Sequence, residues 1–410
     1  MEPITLAAPA SDATSELPVR LGTALLQTGA AVHVAEQTMA EAAAQLGVPL
    51  QALVRPTTIA AVVGPPDRQR VSLVQCEAGP ANITRLAQIA AIADGVRAGS
   101  LGAAEALRRL DDACRPRAPA NPLAGAVLFA IFALATSILL DGGWPELVAS
   151  TVSGFTAGLV VGLAGRLRPG MPLVSFFAAA IATIVGIAAS FVIGAFATNI
   201  AIAAALITID PGYALFLGTA EIARQRTAAG SERFVGAVGT LFELGAGVAV
   251  GSAFMGLAPR LATPVAAVRL PEWMMVVALG CYILALYLGM SARRQDLGWL
   301  AASLLVGAVG VALGKVLPNA QFATFAAAFL VGAASQITTR WVPLPSAVLV
   351  LPGLRFLLPG SLAFTGVLHL LVQNVSGGVE VAFQVVLTLV LLIAGLLTAG
   401  FVFPAYGTKR

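Results

Sequence analysis

Between residues 123 and 403 the sequence is a near-continuous succession of ten apolar stretches, at roughly 123–140, 147–165, 171–196, 198–220, 234–258, 273–291, 297–314, 320–339, 342–371 and 380–403. A hydrocarbon core of about 30 Å takes about 20 helical residues to cross, so each stretch spans it or nearly does. In lipid the backbone must satisfy its own hydrogen bonds, and stretches this long and continuously apolar do so as helices. Composition agrees. Only 11% of residues are charged, against about 25% in a soluble domain, and mean hydropathy is +0.89. So few charges cannot clothe a globule in polar surface. The 42 glycines suit close approach of helices in a membrane. The expected fold is an α-helical polytopic membrane protein of about ten transmembrane helices, preceded by a small α+β soluble domain.

The region before Pro122 is mixed in character. Residues 1–18 are rich in Ala, Pro and Ser and read as a disordered tail. Leu21–Leu46 has helical spacing and ends at Gly47, a C-terminal signal. Val54–Val63 and Arg70–Glu77 are β-branched runs around Gly64-Pro65-Pro66-Asp67, which reads as a hairpin. Ile83–Arg97 and Leu101–Cys114 look helical, and Arg115–Pro119 is a linker. The expected domains are a cytoplasmic α+β unit at 19–118 and two membrane segments at 119–260 and 268–410. The first domain shows no basic-then-apolar leader pattern.

The net charge of +4 and pI of about 9.3 do not imply nucleic acid, because Lys and Arg are scattered over short loops, where they set membrane orientation. Arg115, Arg117, Arg166, Arg168, Arg224, Arg226, Arg233, Arg293, Arg294, Arg340, Lys409 and Arg410 share one side if both termini are cytoplasmic; Arg260, Arg269 and Lys315 are the exceptions. The reading is a multi-pass protein of a bacterial inner membrane with both termini inside.

A shift of 148 residues superimposes the membrane part on itself. Phe177-Ala-Ala-Ala180 meets Phe325-Ala-Ala-Ala328, Pro211-Gly212 meets Pro359-Gly360, Phe216 and Gly218 meet Phe364 and Gly366, and Thr240, Leu241, Leu244, Ala246 and Gly247 meet Thr388, Leu389, Leu392, Ala394 and Gly395. Asp210-Pro211-Gly212 interrupts the fourth stretch; Pro352-Gly353 and Pro359-Gly360 interrupt the ninth. Proline removes a helix hydrogen bond, so both stretches are expected to be broken. Each repeat holds five stretches. An odd number makes the second copy enter from the opposite face, an inverted-topology repeat whose site lies where the broken helices meet.

Ionisable groups in apolar stretches are candidates for function. Asp210 and Arg355 flank the breaks and are expected to approach each other or share a solute, with Pro211, Gly212, Pro359 and Gly360 shaping the site. Half-helix N-termini there offer positive dipole ends to carboxylates. Glu243, inside the fifth stretch, is the clearest proton-coupling candidate, and the repeat-equivalent pair Glu221 and His369 is the next. No catalytic residue, metal site or cofactor is expected: His33 is the one histidine of the soluble domain, Cys76, Cys114 and Cys281 lack ligand spacing, and no phosphate-binding loop signature occurs.

The segments Leu25-Leu-Gln-Thr-Gly-Ala-Ala-Val-His-Val-Ala-Glu36, Arg55-Pro-Thr-Thr58 and Asn82-Ile-Thr-Arg-Leu86 resemble the N-terminal domain of the threonine/serine exporter family. So do Ile209-Asp-Pro-Gly212 with Glu221 and Arg233, and Pro345–Gly360 with its Leu-Pro-Gly-Leu-Arg-Phe-Leu-Leu-Pro-Gly ending. The resemblance covers nearly the whole chain. It implies a ten-helix, proton-driven secondary exporter of threonine and serine with a cytoplasmic N-terminal domain. Related two-chain systems are linked to dicarboxylate (succinate) export. The chain departs from the family pattern at Asp210, where an apolar residue is usual, and at Glu221, where Asp is usual. The expected partners are therefore threonine, serine or a dicarboxylate, protons and the lipid bilayer, with no nucleic acid; a homo-oligomer is compatible with the sequence. A membrane-anchored hydrolase is the alternative from another class, and it would need a catalytic constellation in residues 19–114.

Overall fold

In the computed structural model, residues 13–403 are described apart from 77–78, 80, 116–120, 168–169, 210, 257–267, 269, 317–318, 340–345 and 372–373. Asp210 and most of the linker at Arg115–Pro119 thus lie outside the described residues. The chain divides into two compact units: residues 1–116 with 221–232, and residues 117–220 with 233–410.

In the first unit, α1 (Ala13–Gln27) and α2 (Val32–Gln45) form a helical pair, followed by β1 (Leu50–Val54), β2 (Thr58–Val63), β3 (Arg70–Gln75), α3 (Ile83–Arg97) and α4 (Ala103–Cys114). The sheet is an antiparallel meander in the order β1-β2-β3, with Leu53 opposite Ala60 and Ala60 opposite Leu73. Ile59, Ala61 and Val63 of β2 point into a core with Leu17, Leu21, Leu26, Met39, Ile83, Ile89 and Leu110. The period of two buries one face of the strand.

Three expectations change here. Leu21–Leu46 is two helices, because the chain turns at Thr28–Ala31 with Gly29 at φ +79°, a conformation that favours glycine. Val54–Val63 is interrupted by a tight turn in which Arg55 and Thr58 exchange backbone hydrogen bonds, giving three strands where a single hairpin was expected. Helix α1 begins at Ala13, inside the stretch assigned to a tail. Gly47 does terminate α2, at φ +67°.

The second unit holds α5 (Pro122–Leu139), α6 (Trp144–Leu167), α7 (Val174–Ile193), α8 (Thr198–Leu206), α9 (Gly212–Ala223), α10 (Thr227–Phe254), α11 (Met274–Gly289), α12 (Leu297–Val316), α13 (Ala320–Thr338), α14 (Ser346–Leu357), α15 (Gly360–Leu371) and α16 (Val375–Val402), although the last residues of α9 and the first of α10 group with the first unit. Among the described residues, eight helices are long and apolar enough to cross a membrane. The expected ten-span pattern differs at two places. The fourth stretch is two short helices, α8 and α9, of 9 and 12 residues, and α11 has 16 residues.

The offset of 148 reappears in the helix boundaries: α9 and α10 shifted by it coincide with α15 and α16 at both ends. Hydrogen bonds repeat too. Leu215 N–H donates to Pro211 C=O at 2.9 Å, and its equivalent Ala363 donates to Pro359 at 2.9 Å. Gly247 of α10 packs where a Cβ would lie 2.3 Å from the Phe176 carbonyl oxygen, and Gly395 of α16 packs where one would lie 2.4 Å from that of Phe325. Two crossings of the same kind, glycine against backbone, thus hold α7 to α10 and α13 to α16. Ala178, Ala179, Ala182, Ile202, Leu206, Leu244, Val248 and Phe364 form one buried cluster, so α15 of the second repeat packs into the first.

The expected break at Pro352-Gly353 is absent: α14 runs through Pro352. The reason is a hydroxyl inserted into the helix. Ser303 Oγ, from α12, donates to Leu349 C=O at 2.5 Å and accepts from Gly353 N–H at 2.9 Å. It bridges the two groups that an unkinked helix would pair directly, one of the recognised ways a helix accommodates a kink. Gly353 has no side chain because a Cβ would lie 2.6 Å from the Ser303 carbonyl oxygen. Replacing Ser303 with Ala is expected to lower stability by about 1–3 kcal/mol, since two buried backbone groups lose their partner. The thermal unfolding midpoint of the detergent-purified protein measures this; an unchanged midpoint would show that the bridge contributes nothing.

Candidate functional site

Both helix interruptions that remain, between α8 and α9 and between α14 and α15, border one cavity of about 610 Å³ in the second unit. Ile207 follows α8 and Tyr213 sits in the first turn of α9; Arg355, Phe356 and Leu358 surround the second interruption. The rest of the wall is α5 (Phe132, Thr136, Leu139, Leu140), α11 (Met275, Leu279, Tyr282) and α12 (Leu305, Ala308, Val309, Val311, Ala312). Pro211 and Pro359 each precede a half-helix whose first turn begins at the interruption. The positive ends of two helix dipoles therefore lie at the two breaks.

Arg355 is the charged residue among the described lining residues, and it is half-buried. Its guanidinium carbon stands 5.6 Å from the centroid of Phe132. That ring is edge-on to Tyr282 at 5.4 Å, and Tyr282 is edge-on to Phe356 at 5.6 Å. Tyr282 Oη donates to Arg355 C=O at 3.4 Å. Phe132 thus packs against the guanidinium, which is a planar fork of donors suited to a carboxylate. Thr136 is buried at 5% exposure, and its Oγ1 has no hydrogen-bond partner among the described residues. A hydroxyl in that condition can satisfy a polar group of a bound solute.

The sequence-chosen residues do not all meet. Arg355 lines the cavity, and Pro211, Gly212, Pro359 and Gly360 are buried at its two breaks. Asp210, expected beside Arg355, lies outside the described residues; Ile207 and Tyr213 are on the cavity wall. Glu243 is half-buried on α10 and is not a lining residue. His369, in the last turn of α15, is within 3.2 Å of Asn374 Nδ2 through its Nδ1.

Glu221 belongs to the first unit. It is 1% exposed, and its Oε1 accepts from Val32 N–H at 3.0 Å, at the start of α2. Beside it Arg226 pairs with Glu36 at 2.6 Å, and Thr57 donates to Glu232 at 2.5 Å. Burial, with Arg224 and Arg226 nearby, lowers His33 to about 4. Burial pushes the Glu36 carboxyl up, against the opposing pull of Arg226.

A histidine whose pKa falls on folding is held neutral. Its contribution to stability is complete above its ordinary value of 6.5 and is lost as pH falls from there toward 4. Glu36 acts with the opposite sign: its contribution is present below its ordinary 4.5 and is lost as pH rises through its raised value. Replacing His33 with Gln is therefore expected to flatten the fall in unfolding temperature between pH 6.5 and 4. Thermal scans of the full chain check this, and a slope equal to wild type would place the pH dependence on other groups.

Sequence reasoning passed over Thr136, Tyr213, Tyr282 and Phe132. The available signal was thin, although two of the chain's four tyrosines line the cavity. It also passed over Glu146, which is 2% exposed at the start of α6. One acidic residue at the edge of an apolar stretch looks like a helix-end marker until its partners are known.

No curated protein and no solved structure matches the chain at a significant level. A family model described as a threonine/serine exporter matches residues 16–255, and a second, described as "Threonine/Serine exporter, ThrE", matches residues 277–404. Together they take in the first unit from residue 16, both helix interruptions and every described lining residue of the cavity except Met275. With its multiple membrane-length helices and its cavity between broken ones, the chain is a multi-pass membrane protein that belongs to the threonine/serine exporter family.

Proposed function

We propose that this protein is a proton-coupled secondary exporter of threonine and serine, and that the solute binds in the cavity bordered by the two broken helices. The observation that carries this reading is the presence of Arg355 and both half-helix N-termini at a single cavity. Arg355 takes the solute carboxylate, aided by the dipole ends at Pro211-Gly212 and Pro359-Gly360. Thr136 answers a polar group, and Asp210 supplies the negative charge for the ammonium. Glu243 is the candidate proton carrier, with Glu221 and His369 as secondary ones. The repeat of helix boundaries at 148 supports two five-span halves of opposite topology, the arrangement in which alternating access rocks one half against the other. The distribution of Lys and Arg supports cytoplasmic termini in a bacterial inner membrane.

A dicarboxylate is the second reading, because Arg355 is the charged residue among the described lining residues and no described carboxylate accompanies it. Efflux of labelled threonine, serine and succinate from loaded proteoliposomes, with and without a pH gradient, decides between them. Saturable threonine or serine efflux stimulated by the gradient is expected. Succinate efflux alone would transfer the site to dicarboxylates, and no flux of any of the three would remove the exporter reading.

A further inference from the structure

The cavity between the broken helices has two unlike walls. One is polar. Arg355 stands over Phe132 at 5.6 Å. Thr136, one helical turn from Phe132 on α5, brings a buried hydroxyl with no partner among the described residues. Residues four apart share a helix face, so the guanidinium and this hydroxyl belong to the same end of the cavity. Tyr282 turns its own hydroxyl to the Arg355 carbonyl at 3.4 Å.

The wall from α11 and α12 is different. Met275 and Leu279 of α11 and Leu305, Val309 and Val311 of α12 line it. Among the described lining residues, none from α12 carries a nitrogen, an oxygen or a charge in its side chain. Met275, Leu305, Val309 and Val311 are also exposed. This wall is therefore open, and it does not cap the length of a group lying against it. Methionine adapts to side chains of different shape, so Met275 suits a range of them.

Size points the same way. The volume of about 610 Å³ lies well inside the range of about 300–1,000 Å³ for sites that enclose drug-sized ligands. Serine and threonine are much smaller than such ligands. Either would occupy the region of Arg355 and Thr136 and leave the α12 wall in contact with water. Turned toward α12, its hydroxyl would face hydrocarbon without a partner, which is unfavourable. An apolar side chain long enough to reach α12 removes water from that wall instead, a gain proportional to the area covered.

We infer that the cavity takes amino acids whose apolar side chains are larger than that of threonine, from leucine to phenylalanine in size, and holds them more tightly than serine or threonine. The carboxylate lies at Arg355, Thr136 pairs with a polar atom of the head group, and the side chain lies along α11 and α12. This deepens the exporter reading and rests on one part of it, the placement of the solute carboxylate at Arg355 in this cavity.

Competition in proteoliposomes of the full chain tests the inference. Unlabelled leucine and phenylalanine are expected to halve exchange of labelled threonine at concentrations about ten-fold or more below that required of unlabelled serine, the discrimination that a few buried methylenes give. Leucinamide, which lacks the carboxylate, is expected to compete weakly. Ala308 is half-buried on the α12 wall; Ala308→Phe fills that end and is expected to abolish the advantage of leucine over serine while serine exchange continues. Val309→Thr keeps the volume, adds a hydroxyl and is expected to reduce the advantage several-fold. Should Ala308→Phe fail to fold, Val309→Thr carries the test. Leucine and phenylalanine competing no better than serine overturn the inference and leave the threonine and serine reading intact. An advantage of leucine unchanged in the folded variants does the same, as does leucinamide competing as well as leucine. Exchange of labelled leucine without exchange of threonine or serine upholds the inference and removes the threonine and serine reading. No exchange of any of the three removes both.

Discussion

Replacing Arg355 with Ala is expected to reduce threonine and serine flux by on the order of 10²-fold or more, since stranding a desolvated charge costs about 2–5 kcal/mol. The site is apolar around the guanidinium: Phe132 stands over it, and Tyr282 and Phe356 close the aromatic trio. A solute carboxylate entering that wall without Arg355 would exchange water for hydrocarbon. Lysine in its place is expected to recover only part of the flux, because an ammonium keeps the charge but not the planar pair of donors. Flux at saturating and limiting solute separates the two cases, the alanine variant failing at all concentrations and the lysine variant mainly at low ones. The arginine also packs on Phe132, so the unfolding temperature must accompany the flux. Flux near wild type in a folded Arg355→Ala protein would move the carboxylate site elsewhere and leave the cavity without a function.

The second large effect is expected at the helix crossings. Alanine at Gly247 or Gly395 would place a methyl carbon 2.3 or 2.4 Å from a backbone carbonyl oxygen of α7 or α13. No rotamer change relieves contact with backbone, so the helices must separate. Overpacking of this kind costs about 1–3 kcal/mol and at times more, and each variant is expected to lose several degrees of unfolding temperature or to leave solution as aggregate. Gly280→Ala is the matched control. It lies inside α11 with nothing within 4 Å of its built Cβ, and there alanine is expected to be neutral or to stabilise by about 0.5–1 kcal/mol. Equal behaviour of Gly280→Ala and Gly247→Ala in the same detergent would show that close approach is not what the two equivalent glycines provide.

Neither effect depends on proton coupling.

The membrane class and the two Pro-Gly breaks were legible in the sequence because they rest on local properties. Long apolar runs dictate helices wherever lipid is the solvent. A Pro-Gly pair breaks a helix for reasons confined to a few backbone atoms, and both Pro211-Gly212 and Pro359-Gly360 stand at helix starts. Arg355 was visible as a charge where charge is costly. Tertiary contacts decided the rest. Pro352 failed to break α14 because a hydroxyl from another helix, Ser303, completes its hydrogen bonds. Thr136 and Tyr282 reached the cavity wall only through the packing of α5 and α11 around Arg355. Glu221, grouped by the repeat with membrane residues, falls in the first unit, where it accepts from the start of α2. Glu146 is an ordinary helix-end acid until Ala197, 51 residues away, donates to it. Period and composition report what one segment does in its solvent; which polar group meets which is set by distances between segments, and those exist only once the helices have packed.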